Sequence, residues 1–127
     1  MNSFYTFLQK IRERPRLYLR NKSLAQLDAF LCGYAFGVVA ARWEKATGLD
    51  FFENFDLQCS YSEPSSFSDW CDLTRGFDEF VHSFYNYGIS TLSGGCIIIR
   101  ESSSEEEAFD QYFELLDEFL KQNQDIP

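Results

Sequence analysis

Apolar residues recur at the spacing of an α-helix through most of the chain. This period covers residues 3–13, 24–46, 67–87 and 104–121. The pattern predicts a mainly α-helical, compact domain of four or five helices, with at most one short two-stranded β element. Since no repeat or low-complexity linker divides the chain, residues 1–127 are expected to form a single domain.

The first helical segment is expected to end at a proline. Helical geometry is disfavoured for the residue before a proline, so Pro15 predicts the end of the helix over residues 3–13. Residues 14–19 are then predicted to form an extended connector, with Leu17 and Leu19 turned inward.

The second segment, residues 24–46, carries apolar side chains on most sides. Ser23 is a suitable N-cap and Gly48 a suitable stop. Helices that are apolar all round are usually buried, so we predict a buried central helix. One stripe consists of small residues: Ala29, Gly33, Gly37 and Ala40. Because glycine costs about 1 kcal/mol relative to alanine inside a helix, this stripe predicts that another element packs very close, above all at Gly33.

Two segments have features of strands. Apolar and polar residues alternate over 55–61, and residues 97–99 are consecutive isoleucines, which favour a strand. Together they could form the small β element. The helical segment 67–87 between them contains Gly76, which is expected to bend or split it, and Gly88 closes it.

The last segment, residues 104–121, is the most clearly patterned helix. Ser104 and Glu107 have the spacing of a capping box, in which the two side chains satisfy backbone N–H groups of the first turn. Its apolar face consists of Phe109, Phe113, Leu116 and Leu120.

Composition agrees with a folded cytoplasmic protein. Hydrophobic residues make up 45% of the chain, which is enough for a core. We expect no membrane segment, because no apolar run approaches the ~20 residues that a spanning helix needs. Residues 1–10 also lack the layout of a signal peptide. The cysteines are therefore expected to be buried free thiols: Cys32, Cys59, Cys71 and Cys96.

Charge divides the chain unevenly. Residues 1–48 hold eight basic and three acidic residues, a net charge of +5, and residues 49–127 hold three basic and seventeen acidic residues, a net charge of −14. A segment this acidic repels nucleic-acid phosphate and anionic lipid, and it attracts basic proteins. Binding to nucleic acid or to a membrane is therefore not expected.

No constellation of an enzyme or a metal site is apparent. His82 is the only histidine, and Asp78 could orient it, but no nucleophile can be tied to this pair. We expect His82 to lie near the surface. No cysteine or histidine spacing matches zinc ligation. The chain is therefore expected to be a binding protein without catalytic residues, metal or cofactor.

The last helix carries the strongest candidate for a partner-binding surface. Five acidic residues fall within a sector of about 100°: Glu107, Asp110, Glu114, Asp117 and Glu118. Basic residues are scarce beside them, although an ordinary solvated helix face is the alternative. A second candidate surface consists of Asp69, Trp70, Asp72, Asp78 and Glu79.

Both ends of the chain carry a resemblance to a known family. The quoted segments are Ile11-Arg-Glu-Arg-Pro-Arg-Leu-Tyr-Leu19, Ser23-Leu-Ala-Gln-Leu27, Phe30-Leu-Cys-Gly-Tyr34 and the acidic stretch from Glu106 to Leu120. In these segments the chain resembles small bacterial immunity proteins encoded beside polymorphic toxins, including those of contact-dependent growth inhibition. Residues 49–100 take no part in the resemblance.

The resemblance implies a cytoplasmic protein that binds one cognate toxin domain and neutralises it. It transfers no binding residues, because such proteins diverge at the partner surface. Toxin nucleases are often basic, since their substrate is phosphate, and an acidic inhibitor would suit them. The alternative function is an acidic binding module or nucleic-acid mimic that blocks a basic DNA- or RNA-binding protein.

Overall fold

The structure is a computed structural model that describes residues 3–51, 53, 66–88 and 90–123. The described residues form helices and no strand: α1 Ser3–Glu13, α2 Pro15–Tyr18, α3 Leu24–Thr47, α4 Ser66–Leu73, α5 Phe77–Phe84, α6 Gly94–Glu101 and α7 Glu105–Asn123. The prediction of a mainly α domain is confirmed. The predicted strand over residues 55–61 lies outside the described residues.

Helix α7 lies at the centre of the main core. Its buried side chains are Ala108, Phe109, Phe113, Leu115, Leu116, Phe119 and Leu120. They pack with Leu8 and Ile11 of α1, Leu27 of α3, Val81 of α5 and Ile97 of α6. The amphipathic period of the last segment therefore predicted correctly which face is buried.

The proline after α1 begins a helix as well as ending one. Pro15 occupies the first position of α2, where its fixed φ and missing N–H are tolerated. The predicted extended connector over residues 14–19 is therefore wrong. Leu19 is extended and buried, as expected, but the one-turn helix turns Leu17 outward, where 67% of it is exposed.

The isoleucine triplet forms a helix, so the strand predicted there is wrong. Ser93 caps α6 by accepting a hydrogen bond from the backbone N–H of Cys96 at 3.2 Å. Ile97 and Ile98 are fully buried. The packing of these two side chains on α5 and α7 outweighs the preference of isoleucine for strands.

Gly76 splits the segment 67–87, as the sequence indicated. It adopts a left-handed conformation with φ of 92° between α4 and α5. Helix α5 ends at Phe84, and Gly88 follows with φ of 70°.

Helix α3 is predicted correctly in its bounds and wrongly in its burial. Ser23 accepts the hydrogen bond of Gln26 N at 3.3 Å, and Gly48 ends the helix with φ of 75°. Only Leu24, Leu27, Ala40 and Trp43 of this helix are buried. Phe30 and Leu31 pack against the main core but are only partly buried, and Ala40 and Trp43 form a separate small cluster with Phe51.

By length and composition alone, α3 could cross a membrane. Among the described residues it has an 18-residue window with a mean hydropathy of 1.5, of which 17% is buried. The expectation that no apolar stretch reaches that length is therefore corrected. Core helices of soluble proteins can have the same composition, so this finding alone assigns no membrane.

The tightest glycine contact is at the start of α6. A Cβ at Gly94 would lie 3.0 Å from Asp78 Oδ1 and 3.2 Å from Val81 Cγ2, whereas a Cβ at Gly33 would meet no atom of the described chain within 4 Å. The predicted close approach at Gly33 is therefore wrong for that part of the chain.

We expect Gly94→Ala to lower the free energy of unfolding by about 1 kcal/mol, because overpacking outweighs the gain in helix propensity. Gly33→Ala should raise it by up to about 1 kcal/mol, because alanine favours the helix and nothing obstructs it. Urea unfolding of both variants measures the difference, and shifts of the same sign would contradict it.

Candidate functional site

The five acidic residues of α7 divide into two edges of one helix face. Asp110 and Asp117 lie on the edge toward α1 and the segment before α3, and Glu107, Glu114 and Glu118 lie on the other edge. The division follows from the 100° step of a helix, which places the two aspartates within about 20° of each other. The two edges have different contacts.

Asp117 belongs to an internal polar network. Its Oδ1 accepts a hydrogen bond from Tyr5 Oη at 2.8 Å, and its Oδ2 accepts one from Arg12 Nη1 at 2.7 Å. The Arg12 guanidinium also lies 5.2 Å from the centre of the Phe113 ring. Burial, followed by the bond to Asp117, raises the pKa of Tyr5. Asp117 therefore holds α1 against α7, which leaves it little capacity for a partner.

Asp110 is also paired inside the chain. Lys22 Nζ lies 2.9 Å from its carboxylate and 5.9 Å from the centre of the Phe109 ring. The Asp110 side chain is still 57% exposed. Exposed pairs of this kind contribute about 0–1 kcal/mol, so Asp110 could exchange Lys22 for a cation on a partner at small cost.

The negative charge on the outer edge of α7 is not neutralised by ion pairs within the described residues. Glu107, Glu114 and Glu118 are exposed, and none forms an ion pair within the described residues. The backbone N–H of Glu107 donates to Ser104 Oγ at 3.0 Å, which confirms the predicted N-cap, and its carboxylate accepts from Ser103. Gln122 donates to Glu118 at 3.0 Å. We call these three glutamates the outer acidic edge.

An aromatic pair lies beside the outer acidic edge. Phe84, at the end of α5, is 53% exposed and packs edge-on against Tyr85, with ring centres 4.8 Å apart. The Tyr85 hydroxyl lies near the Gln111 side chain of α7. Burial raises the pKa of Tyr85, and the Glu101 and Glu107 carboxylates raise it by smaller amounts. Sequence periodicity had assigned Phe84 to the apolar face of a helix, so its exposure could not be predicted from spacing.

The second predicted surface is divided between the core and the exterior. Trp70 is 6% exposed and packs on Phe4, with ring centres 5.7 Å apart, so it adds little accessible area to this candidate surface. Asp72 pairs with Arg75 at 2.8 Å. Asp69 is exposed, whereas Asp78 Oδ1 accepts the backbone N–H of Gly94 at 2.7 Å.

Glu79 lies at the edge of a polar cavity of about 580 Å³ between α5 and the segment before α6. The cavity is lined by Asp78, Glu79, His82, Ser83, Gly88, Ser90, Thr91, Leu92 and Ser93. His82 is half-buried there, and its Nε2 donates to the carbonyl oxygen of Leu92 at 2.7 Å. Because Asp78 bonds to Gly94 instead, it does not orient His82, and both side chains serve to hold the segment before α6.

Tyr112 of α7 lines two smaller cavities, of about 370 and 260 Å³. Burial is the main cause of its strongly raised pKa, and the carboxylates of Asp28 and Asp78 raise it further. The phenol therefore stays neutral at physiological pH and can donate a hydrogen bond. Helical spacing assigned Tyr112 only a flanking position, because no local pattern brings Asp28 and Asp78 to it.

The segment that contains the exposed Leu17 carries three exposed arginines. Arg14, Arg16 and Arg20 are exposed and form no ion pair within the described part of the chain, unlike Arg12. A shallow cavity of about 570 Å³ lies beside Leu17. The molecule thus has a basic surface at α2 as well as the outer acidic edge.

The thiols and the candidate metal ligands of the described residues do not form a further functional site. Cys32, Cys71 and Cys96 are free, as expected, but they are exposed, which corrects the prediction of burial; Cys59 lies outside the described residues. Partial loss of solvent around its sulfur raises the pKa of Cys71, and the Asp72 carboxylate adds to this. Within the described ranges, no group of three or more candidate side chains is arranged to hold a metal ion.

Comparisons with protein-family models, with curated proteins and with solved structures give no match. The resemblance to immunity proteins therefore depends on the segments quoted above alone.

Proposed function

We propose that the protein is a cytoplasmic immunity protein that binds and neutralises a cognate basic toxin domain. The observation that carries the proposal is the outer acidic edge, where Glu107, Glu114 and Glu118 lie together without a neutralising cation in the described residues. The resemblance at both ends of the chain supports the choice of partner.

The contact would combine charge with an aromatic anchor. Complementary charge accelerates encounter, up to about 10⁸ M⁻¹s⁻¹ or more at low salt. Tight binding needs desolvated side chains, which are often aromatic. Phe84 offers such an anchor because it is 53% exposed and packs on Tyr85, which lies near Gln111 of α7. The glutamates thus set the association rate, and Phe84 sets the dissociation rate.

The toxin domain encoded by the neighbouring gene is the test partner. Glu114→Lys combined with Glu118→Lys is expected to lower the association rate constant by about tenfold or more at low salt, and less at high salt. Phe84→Ala should mainly raise the dissociation rate constant. Stopped-flow or surface-plasmon measurements at several salt concentrations separate the two effects, and cell survival on toxin expression reports protection.

The matched control is Glu13→Lys combined with Glu53→Lys. Both glutamates are exposed, and the net charge changes by the same amount without altering α7. This control should bind nearly as the unmodified chain does. If the α7 variant binds and protects as well as the control, the outer acidic edge is an ordinary solvated helix face. If the unmodified chain itself neither binds nor protects, the proposed function is wrong.

A further inference from the structure

The basic surface at α2 has no role in holding the helices together. Arg14, Arg16 and Arg20 are exposed and form no ion pair within the described residues. The basic side chains on either side of them, Arg12 and Lys22, pair instead with carboxylates of α7. Three guanidinium groups are therefore free to meet an anionic partner.

The same short segment exposes an apolar side chain. Leu17 is 67% exposed, which is more than any other large hydrophobic residue in the described part of the chain. It lies beside the shallow cavity of about 570 Å³, whose lining also includes Arg14 and Pro15. An apolar side chain that contacts Leu17 is stabilised, because both are then removed from water. The surface thus combines an apolar contact with groups that bind carboxylates.

The backbone of α2 is held in place by contacts on its inner side. Pro15 fixes φ at the first helical position, and the backbone N–H of Leu19 donates to the Pro15 carbonyl oxygen at 2.7 Å. Leu19 is buried, and the Tyr18 ring packs edge-on against Phe7, with ring centres 5.7 Å apart. Because the surface is already formed, binding requires little ordering of its backbone, which lowers the entropy cost.

The partner that fits this surface is a short peptide segment in which carboxylates flank an apolar side chain. The planar guanidinium group of arginine matches a carboxylate through two parallel hydrogen bonds. Clusters of arginines are a recurring means of recognising acidic peptide motifs. The apolar side chain of such a segment would lie against Leu17 while its carboxylates meet the arginines.

The charges around α2 favour a peptide over an extended polyanion. Glu106 lines the same cavity, and Glu105 and Glu107 lie beside it in the first turn of α7. A nucleic acid or an anionic membrane would bring a continuous negative surface against these glutamates, in a chain whose net charge is already −9. A short peptide can place its carboxylates on the arginines and avoid the glutamates.

We propose that α2 is a docking site for an acidic peptide segment of a partner protein. The carboxylates of the segment bind Arg14, Arg16 and Arg20, and an apolar side chain of the segment packs on Leu17. The contact uses none of the glutamates of the outer acidic edge, so it is independent of the proposed toxin binding.

The probe is a short synthetic peptide in which aspartates flank a single leucine. Fluorescence anisotropy of the labelled peptide with the full chain should show saturable binding that weakens as salt is raised. Arg16→Glu should raise the dissociation constant by about tenfold or more, because it replaces a cation with a like charge.

The matched control is Lys45→Glu on α3. Lys45 is exposed and forms no ion pair within the described ranges, and its reversal changes the net charge by the same amount. It should raise the dissociation constant by less than about twofold, because salt screens a charge that does not touch the peptide.

Leu17→Ser tests the apolar contact. It should raise the dissociation constant of the leucine peptide by about tenfold, and it should leave unchanged the affinity for an otherwise identical peptide with serine in place of leucine. A loss of folding would weaken the binding of both peptides, so the comparison separates the contact from stability. In NMR titrations, the amide resonances of residues 16–18 should shift, and that of Glu114 should not.

A probe peptide that does not bind at about 1 mM overturns the proposal, as does binding that Arg16→Glu leaves unchanged. Tighter binding of phosphatidylserine vesicles or of single-stranded DNA than of the peptide would also overturn it, and would identify α2 as a site for an extended polyanion.

Discussion

Phe113→Ala is expected to lower the free energy of unfolding by about 3–5 kcal/mol. Phe113 is fully buried at the centre of α7, with its ring 5.2 Å from that of Phe109 and 5.3 Å from that of Tyr112. Truncation removes apolar contact area and leaves a cavity that neighbouring helices cannot fill without moving. It also removes the ring beneath the Arg12 guanidinium. Urea unfolding monitored by circular dichroism gives the difference.

Phe84→Ala is the matched control, since the same atoms are deleted from a side chain that is 53% exposed. Phe84→Ala should lower the free energy of unfolding by less than about 1 kcal/mol, because much of the Phe84 side chain is already in contact with water. Equal losses for the two variants would mean that α7 is not at the centre of the core. A small loss for Phe84→Ala also keeps that variant usable in binding experiments.

Asp117→Ala is expected to lower the free energy of unfolding by about 2 kcal/mol. The carboxylate accepts two charge-assisted hydrogen bonds, from Arg12 at 2.7 Å and from Tyr5 at 2.8 Å. Hydrogen bonds to charged groups contribute about 1.5–3 kcal/mol, and half-burial of the side chains limits the screening by water. Removal takes this acceptor away from both the Arg12 guanidinium and the Tyr5 phenol.

The control is Glu114→Ala on the same helix, which changes the charge equally at an exposed position with no ion pair in the described residues. Glu114→Ala should change the free energy of unfolding by no more than about 0.5 kcal/mol. A double-mutant cycle with Arg12→Ala should give a coupling energy of about 1 kcal/mol, because the two groups are in direct contact. A coupling near zero would contradict the role of Asp117 in holding α1 to α7.

Local signals predicted the fold where they depend on nearby residues alone. Ser23, Ser104, Gly48 and Gly76 start, stop or split helices as the sequence indicated. The isoleucines of α6 were predicted wrongly, because contacts with α5 and α7 decide their conformation. The burial of α3 was also predicted wrongly, since an apolar helix surface does not specify what covers it.

The candidate site was likewise predicted where it depends on local spacing, and not where it depends on contacts between helices. The acidic face of α7 followed from helical spacing, and the N-cap at Ser104 is present. Its separation into two edges did not follow, because Arg12 and Lys22 pair with residues 105 and 88 positions away. The exposure of Phe84 and the burial of Trp70 likewise depend on how the helices are packed.

Because α7 completes the core, the order of synthesis affects how the chain folds on the ribosome. The buried side chains of α1, including Leu8 and Ile11, pack into a core whose largest contribution comes from α7. Asp117 is translated 105 residues after Arg12. At a synthesis rate of about 5–20 residues per second, α7 is synthesised roughly 5–20 s after α1. During that interval α1 lacks the helix against which it packs. During that time the apolar faces of α1 and α3 are uncovered together, so the nascent chain is most exposed to aggregation and to chaperones just before its last helix emerges.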